Sequence, residues 1–409
     1  MSELENELDW LYNLERFGSR LELDRIEKIM ELFDNPHNNL KFIHIAGTNG
    51  KGSTASMVSS ALIEAGYKTG LYTSPHLLKF NERIQINGNE ITDDEAISLI
   101  KEIRKVMEEN NLQLTFFEFV TAISFLYFNR QNVEYAVVEV GIGGKYDATN
   151  IINPVIAAIT NIDIDHIQIL GNSKLKILKE KAGIVKKGNP LVSGVDEVDE
   201  DVNEYLCELC SSLGCEIIHA NKNIEDYVQK NFIVGLIGKH QIKNASVALL
   251  ILRKLGIDDK YIHAGIEKVK WPGRIDIRSW QGKNVIMDSA HNSAGMLCFV
   301  DYIRNNVSGN KTVIIGFSKD KNIVEMAEIL KNVLSSKDRV YVTKSDFKPA
   351  DVSVVRDIIK EVLDNDITIE TFENSTDAVD KALEDNRDII ITGSIYLIGK
   401  ILQQEKRFI

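Results

Sequence analysis

Residues 44–56 read HIAGTNGKGSTAS, and the order of residue types in this stretch decides the class of fold. An apolar run, KFIHIAG (41–47), ends in glycine and reads as a strand. A helical stretch follows from about Lys51 to Ala65, with Gly66 as its stop. Between them Gly47, Gly50 and Gly52 let the backbone curl so that its N–H groups face inward. The helix N-terminus adds a partial positive charge, and Lys51 supplies a full one for the β- and γ-phosphates of a nucleotide. Ser53 or Thr54 offers a hydroxyl near a magnesium ion. The spacing departs from the common G-x-x-x-x-G-K-[ST], because Gly52 stands between Lys51 and the hydroxyl residue. A turn that merely starts a helix is the plainer reading, but glycines, a lysine and two hydroxyls after an apolar strand exceed what punctuation requires.

Working outward, strand and helix alternate. KTGLYTS (68–74), EYAVVEVG (134–141) and PVIAAITN (154–161) read as strands, the last two of the apolar kind found inside parallel sheets. Residues 93–109 are helical in period, and Phe116 to Phe128 is apolar nearly all round, which predicts a buried helix. Helices are also expected over 173–188 and 238–256. Near WPGR (271–274) the rhythm resets. NVIMDSA, KTVIIGF, DRVYVT, DITIETF and DIIITGS are strand-like runs separated by helical stretches, a second αβ unit with a parallel sheet.

A chain of 409 residues suits two domains. Hydrophobic residues at 44% and charged residues at 26% fit a soluble globular enzyme. The net charge of −12 argues against nucleic acid or an anionic membrane surface as partner, so anionic ligands must be met by local lysines, arginines and N–H groups. No apolar run reaches the roughly 18 residues of a transmembrane helix. The start, MSELENELDWLYNLERFG, is acidic and lacks the character of a signal peptide. Cys207, Cys210, Cys215 and Cys298 are too sparse for a disulfide scaffold, and a cytoplasmic location is expected. Cys207 and Cys210 form a C-x2-C near Cys215 and His219. Zinc would want a second ligand pair, and residues 201–214 read instead as an ordinary helix ending at Gly214.

GTNGKGS (47–53), TSPHLLKFNERI (73–84) and VEVGIGGKYDATN (138–150) resemble the folylpolyglutamate synthase and dihydrofolate synthase branch of the Mur ligase family. The likeness continues through TNIDIDHIQILG (160–171), EKAGIVKKG (180–188), GKHQIKNA (238–245), WPGRIDI (271–277), DSAHNSAGM (288–296), GFSKDKN (316–322) and TGSIYLIG (392–399). The resemblance implies an α/β fold: an N-terminal P-loop ATPase domain with a mostly parallel sheet (1–280) and a smaller C-terminal Rossmann-like domain (281–409). It implies an ATP-dependent ligase that adds L-glutamate to a folate through an acyl phosphate, with dihydropteroate as the alternative acceptor. Asn49, Gly50, Lys51, Gly52, Ser53 and Thr54 would hold the ATP phosphates. Ser74, Glu139 and His166 would ligate Mg2+. Lys181 matches a lysine that the family carries as a carbamate, Asn244 an adenine contact, Arg274 an arginine that reaches the phosphates, and Asp288 the ribose aspartate. His291 would face the reaction centre, orienting the phosphate or receiving a proton from the amine. Ser394 lies in a region implicated in binding glutamate. A monomer is expected, as for most of the family.

Elementary chemistry supports part of this set. Glu139 ends an apolar strand, where a carboxylate is costly unless a cation faces it. His166 is a weaker case, since magnesium prefers oxygen, and Asp163 and Asp165 read as turn residues. Lys179, Glu180 and Lys181 alone read as a solvated charge run. Phe116, Phe117 and Phe119 read either as core or as flat partners for a pterin ring. The chain departs from the family pattern at Lys145, Ser289, Ser293 and Lys348-Pro349-Ala350, where arginine, glycine, proline and Pro-Arg-Ala are usual. These positions bear on acceptor and glutamate recognition, since lysine lacks arginine's bidentate fork. A Mur-type ligase with another carboxylate acceptor, and a P-loop kinase or switch, are the rival readings.

Overall fold

Runs of valine, isoleucine and alanine without polar alternation become strands buried on both faces. A computed structural model describes residues 2–14, 22–363 and 366–409, so Met1 and residues 15–18 of the acidic start lie outside the described residues. Glu3–Tyr12 is a helix with a Ser2/Glu5 capping box. The chain divides into two compact units: residues 1–235 with 241–269, and residues 236–240 with 270–409.

The first unit carries β1 (Lys41–Ala46), β2 (Thr69–Tyr72), β3 (Ile84–Ile86), β4 (Asn89–Glu90), β5 (Tyr135–Glu139), β6 (Ile156–Ile159), β7 (Leu191–Ser193) and β8 (Ile217–His219). They form one sheet in the order β4-β3-β2-β5-β1-β6-β7-β8. It is parallel from β2 to β8, with β3 and β4 added antiparallel at one edge. β1 is flanked by β5 and β6, with Ile45 opposite Glu139 and Ala46 opposite Ile159. The loops leaving these strands therefore share one edge of the sheet, where ligands of parallel sheets collect.

The helix Phe116–Arg130 is buried from Glu118 to Phe128, as its apolar circumference predicts, and starts with a Thr115/Glu118 capping box. The helix Lys51–Glu64 is buried over much of its length. Gly265, in the helix Asp259–Lys268, backs onto it so closely that a Cβ there would lie 2.3 Å from Ala61 Cα. The helix expected over 173–188 is shorter: Lys174–Lys181 is α-helical and Ala182–Ile184 forms one 3-10 turn. The reason is Gly183, whose Cβ would lie 2.5 Å from Lys145 Cα, so the chain leaves the helix to let the Gly-Gly-Lys loop approach. The helix Glu200–Leu213 stops on left-handed Gly214.

The second unit carries β9 (Asp276–Trp280), β10 (Lys283–Asp288), β11 (Lys311–Ile315), β12 (Arg339–Thr343), β13 (Thr368–Phe372) and β14 (Asp388–Thr392) in the order β13-β12-β11-β14-β10-β9. All pairs are parallel except β9 with β10. The boundary expected after residue 280 gives way to one at Lys270, because β9 pairs with β10 and belongs to this sheet. Its core gathers Met296, Phe299, Val313, Ile315, Val340 and Ile390.

Candidate active site

The turn after β1 is held by the end of β6. Asn161 Oδ1 accepts the N–H groups of Thr48 (3.1 Å) and Asn49 (2.8 Å). Thr160 Oγ1 donates to the Asn49 carbonyl at 2.6 Å, and Thr48 Oγ1 bonds Asp163 through both its backbone groups. Gly47 has φ 151°, and a Cβ there would strike Thr160 Oγ1 at 1.9 Å. Gly50 is left-handed with φ 78°, and its Cβ would fall 2.2 Å from Asn244 Oδ1. Asn244 is fixed by donation to Gln241 Oε1 at 2.9 Å. The Thr48 and Asn49 N–H groups are already engaged, while the helix that starts at Lys51 has no side-chain cap.

Two lysines meet at one carbonyl. Lys51 Nζ donates to Gly47 O (3.1 Å) and Thr48 O (3.2 Å), and Lys181 Nζ reaches the same Gly47 oxygen at 2.8 Å. Lys181 is 4% exposed, so the solvated charge run is not its setting. Burial, and then the neighbouring Lys51 charge, bring its ammonium down to about 7. Ser53 and Thr54 are both buried, and Thr54 Oγ1 has no hydrogen-bond partner.

Glu139 is buried at the end of β5, and its Oε2 accepts the Ser74 N–H at 3.0 Å. Ser74 and Glu139 are thus brought together. His166 stands in the loop after β6, left-handed at φ 50°, with Nε2 3.9 Å from Asp165 Oδ2. Asp163 and Asp165 each accept the next backbone N–H at 2.8 Å, which is turn chemistry. The bond between Ser74 and Glu139 joins two of the three expected ligands, while His166 is held on the side of Asp165.

The same unit also carries buried polar groups that the sequence did not single out, and the three phenylalanines that it did. Asp147 is buried and accepts from Ile142 N (3.0 Å), Thr149 N (3.1 Å) and Thr149 Oγ1 (2.5 Å). Burial raises its carboxyl pKa. Thr149 Oγ1 in turn lies 2.8 Å from Nε2 of His44, which burial holds at about 3 and therefore neutral. Arg83 Nε donates to His76 Nδ1 at 2.8 Å, and its guanidinium lies 5.3 Å from the Phe116 ring centroid. Phe119 is core, while Phe117 stacks near Tyr72 and covers Gly141, whose Cβ would lie 2.6 Å from its ring.

In the second unit, Asp288 ends β10 and is 6% exposed. It accepts from Ile275 N and Ala290 N, both at 2.9 Å. Burial raises its carboxyl to about 6 against the pull of Arg274. Arg274 also helps burial hold His240 neutral, at about 4. His291 Nδ1 donates to Ser289 O at 2.9 Å, and Asn292 caps the next helix. Ser394 follows β14, beside β10 in the sheet, and is spent as an N-cap accepting Tyr396 N at 3.2 Å.

A phosphate-binding turn on a parallel sheet, beside buried acidic and basic groups at the same edge, defines a nucleotide-binding α/β enzyme. Comparison with known proteins narrows this. Residues 45–252 match the Mur ligase middle domain and residues 274–404 the dihydrofolate synthetase C-terminal domain. The chain is 30% identical to the dihydrofolate synthase/folylpolyglutamate synthase of Bacillus subtilis, over 97% of this chain and 98% of that one. Folylpolyglutamate synthase of Mycobacterium tuberculosis, solved with ADP and AMPPCP, superposes with a TM-score of 0.87 at 28% identity, covering 98% of each chain. E. coli FolC in complex with DHPP and ADP gives a TM-score of 0.86 at 26% identity, covering 99% of this chain and 98% of that one. The chain belongs to the Mur ligase family, in its branch of folylpolyglutamate and dihydrofolate synthases.

Proposed function

We propose that this protein is an ATP-dependent ligase that joins the amine of L-glutamate to the carboxylate of a folate, with dihydropteroate as a second acceptor. The observation that carries the reading is the convergence of Lys51 and Lys181 on the Gly47 carbonyl. The relative named for both activities, matched over 98% of its length, supports the second acceptor.

Lys51 and the N–H groups of its helix receive the γ-phosphoryl, and positioning supplies most of the rate. Ser74, Glu139 and His166 would hold magnesium, which when bound would neutralise phosphate charge. Arg274 reaches the phosphates, Asp288 accepts from the ribose hydroxyls, and Asn244 meets the adenine. The acceptor carboxylate takes the phosphoryl group to give an acyl phosphate and ADP. The glutamate amine then attacks that carbonyl carbon, phosphate leaves, and the amine proton passes to a base; His291 either takes that proton or orients the phosphate. Ser394 and its neighbours serve the glutamate side. Lys181 works as a carbamate, and an amine held near 7 is neutral often enough at physiological pH to add carbon dioxide. The protein works in the cytoplasm as a monomer; no helix among the described residues is long and apolar enough to cross a membrane.

The test is ADP release with magnesium, ATP and glutamate, comparing tetrahydrofolate, dihydropteroate and no acceptor, with and without bicarbonate. Release with both acceptors supports the double activity, and release with tetrahydrofolate alone restricts it to polyglutamylation. Folded protein that neither acceptor stimulates would refute the folate reading.

A further inference from the structure

The turn that carries Arg274 is pinned on both sides. Ahead of it, the Gly273 carbonyl accepts two hydrogen bonds from one residue: Ser289 N at 2.9 Å and Ser289 Oγ at 2.8 Å. Behind it, Ile275 N donates to Asp288 Oδ2 at 2.9 Å. Ile275 is a β-branched residue in the left-handed region, φ 48°, a conformation that persists only where its surroundings impose it. Gly273 is left-handed too, at φ 76°. Ser289 is 1% exposed, so its hydroxyl bond is shielded from water. The backbone N–H bond could be made by any residue except proline; the hydroxyl bond is what serine adds.

We propose that Ser289 is a positioning residue for the ligase reaction: its side-chain hydroxyl clamps the Gly273 carbonyl and so fixes the direction in which Arg274 is presented. The proposal rests on the role given above to Arg274. Ser289 does not touch the reacting atoms. It acts through the turn, and together with Asp288 it makes the end of β10 a two-point clamp on the segment before β9. In this chain the clamp supplies order that a glycine at position 289 would not.

The test is a double-mutant cycle on the full-length protein with amide hydrogen exchange as a second readout. S289A and S289G are each made alone and in an R274K background. The expected result is a kcat lower by about fivefold in either single variant, the loss of one shielded hydrogen bond, with KM for the acceptor unchanged. In the R274K background the same changes should have no further effect on kcat. Exchange at the Arg274 and Ile275 amides should quicken in both single variants, while the helix Lys51–Glu64 is unaffected. Equal losses of kcat in both backgrounds, or unaltered exchange at the turn, would overturn the proposal. A kcat unmoved by R274K alone would instead sink the role of Arg274, and the exchange data would still decide whether the clamp exists.

Discussion

At the scale of single residues, charge and burial make two outcomes calculable. Lys51→Ala removes the ammonium to which the proposed function assigns the phosphates, and kcat should fall on the order of 100-fold or more with the protein still folded; a steady-state assay with circular dichroism checks both. Asp288 gives a pH dependence. Its carboxyl is raised from 3.8 to about 6, so the free protein holds this proton where the unfolded chain does not. The group's contribution to stability is therefore full below the unfolded value and is lost as pH rises through about 6. The ribose contact proposed for this carboxylate runs the other way. The KM for ATP should climb as pH is lowered from 7 to 5, and Asp288→Asn should bind ATP weakly but with a flat profile across that range. Some of these residues were legible in the sequence and others were not. Lys51 stands among glycines and Glu139 at a strand end, where charge is conspicuous, whereas Asp288 was singled out by resemblance. Lys181 is hidden within a charge run, and only resemblance singled it out. Ser289 reads as a departure from a pattern, and its bond to Gly273 has no local signal because the partner lies 16 residues away.

At the scale of elements, sequence patterning carries further. Apolar runs mark β1, β5, β6, β10, β11 and β14, where no polar alternation competes, and β-branched and aromatic residues mark β12 and β13. The short edge strands β3 and β4, and β9, escape the same reading, since a three-residue strand or an exposed antiparallel edge has no continuous apolar run. Nor does local pattern reveal what packs against the far end of the helix Lys51–Glu64. Gly265 does so, and Gly265→Ala places a methyl carbon 2.3 to 2.4 Å from the Ala61 backbone. That overlap should destabilise the protein by about 1–3 kcal/mol and raise the KM for ATP by shifting the helix that opens the loop. Urea titration and ATP kinetics on the same variant test both effects. A stability loss without a kinetic change would show that the helix shifts away from its loop end.

At the scale of the molecule, the chain folds around separate cores, with Phe42, Ile100 and Phe125 in the first unit and Phe299, Val313 and Ile390 in the second. Separate cores predict separate melting. Scanning calorimetry should give more than one transition, or a calorimetric enthalpy larger than the van't Hoff value. A single two-state peak would show that the units unfold as one. Composition bounds the count of domains, but where they part does not follow from it: residues 236–240 belong with the second unit although the first resumes after them.

The lysine pair at Gly47 also bears on turnover. Lys51 brings its ammonium to the Gly47 oxygen, and the N–H groups of the helix it opens lie beside it, so the loop attracts a tetrahedral oxyanion. Orthophosphate is such an ion and is also what the ligation sheds. A loop that captures the substrate by this charge should therefore slow the departure of the by-product. Orthophosphate should inhibit competitively against ATP, and rates measured in phosphate or sulfate buffers should fall below those in a zwitterionic one.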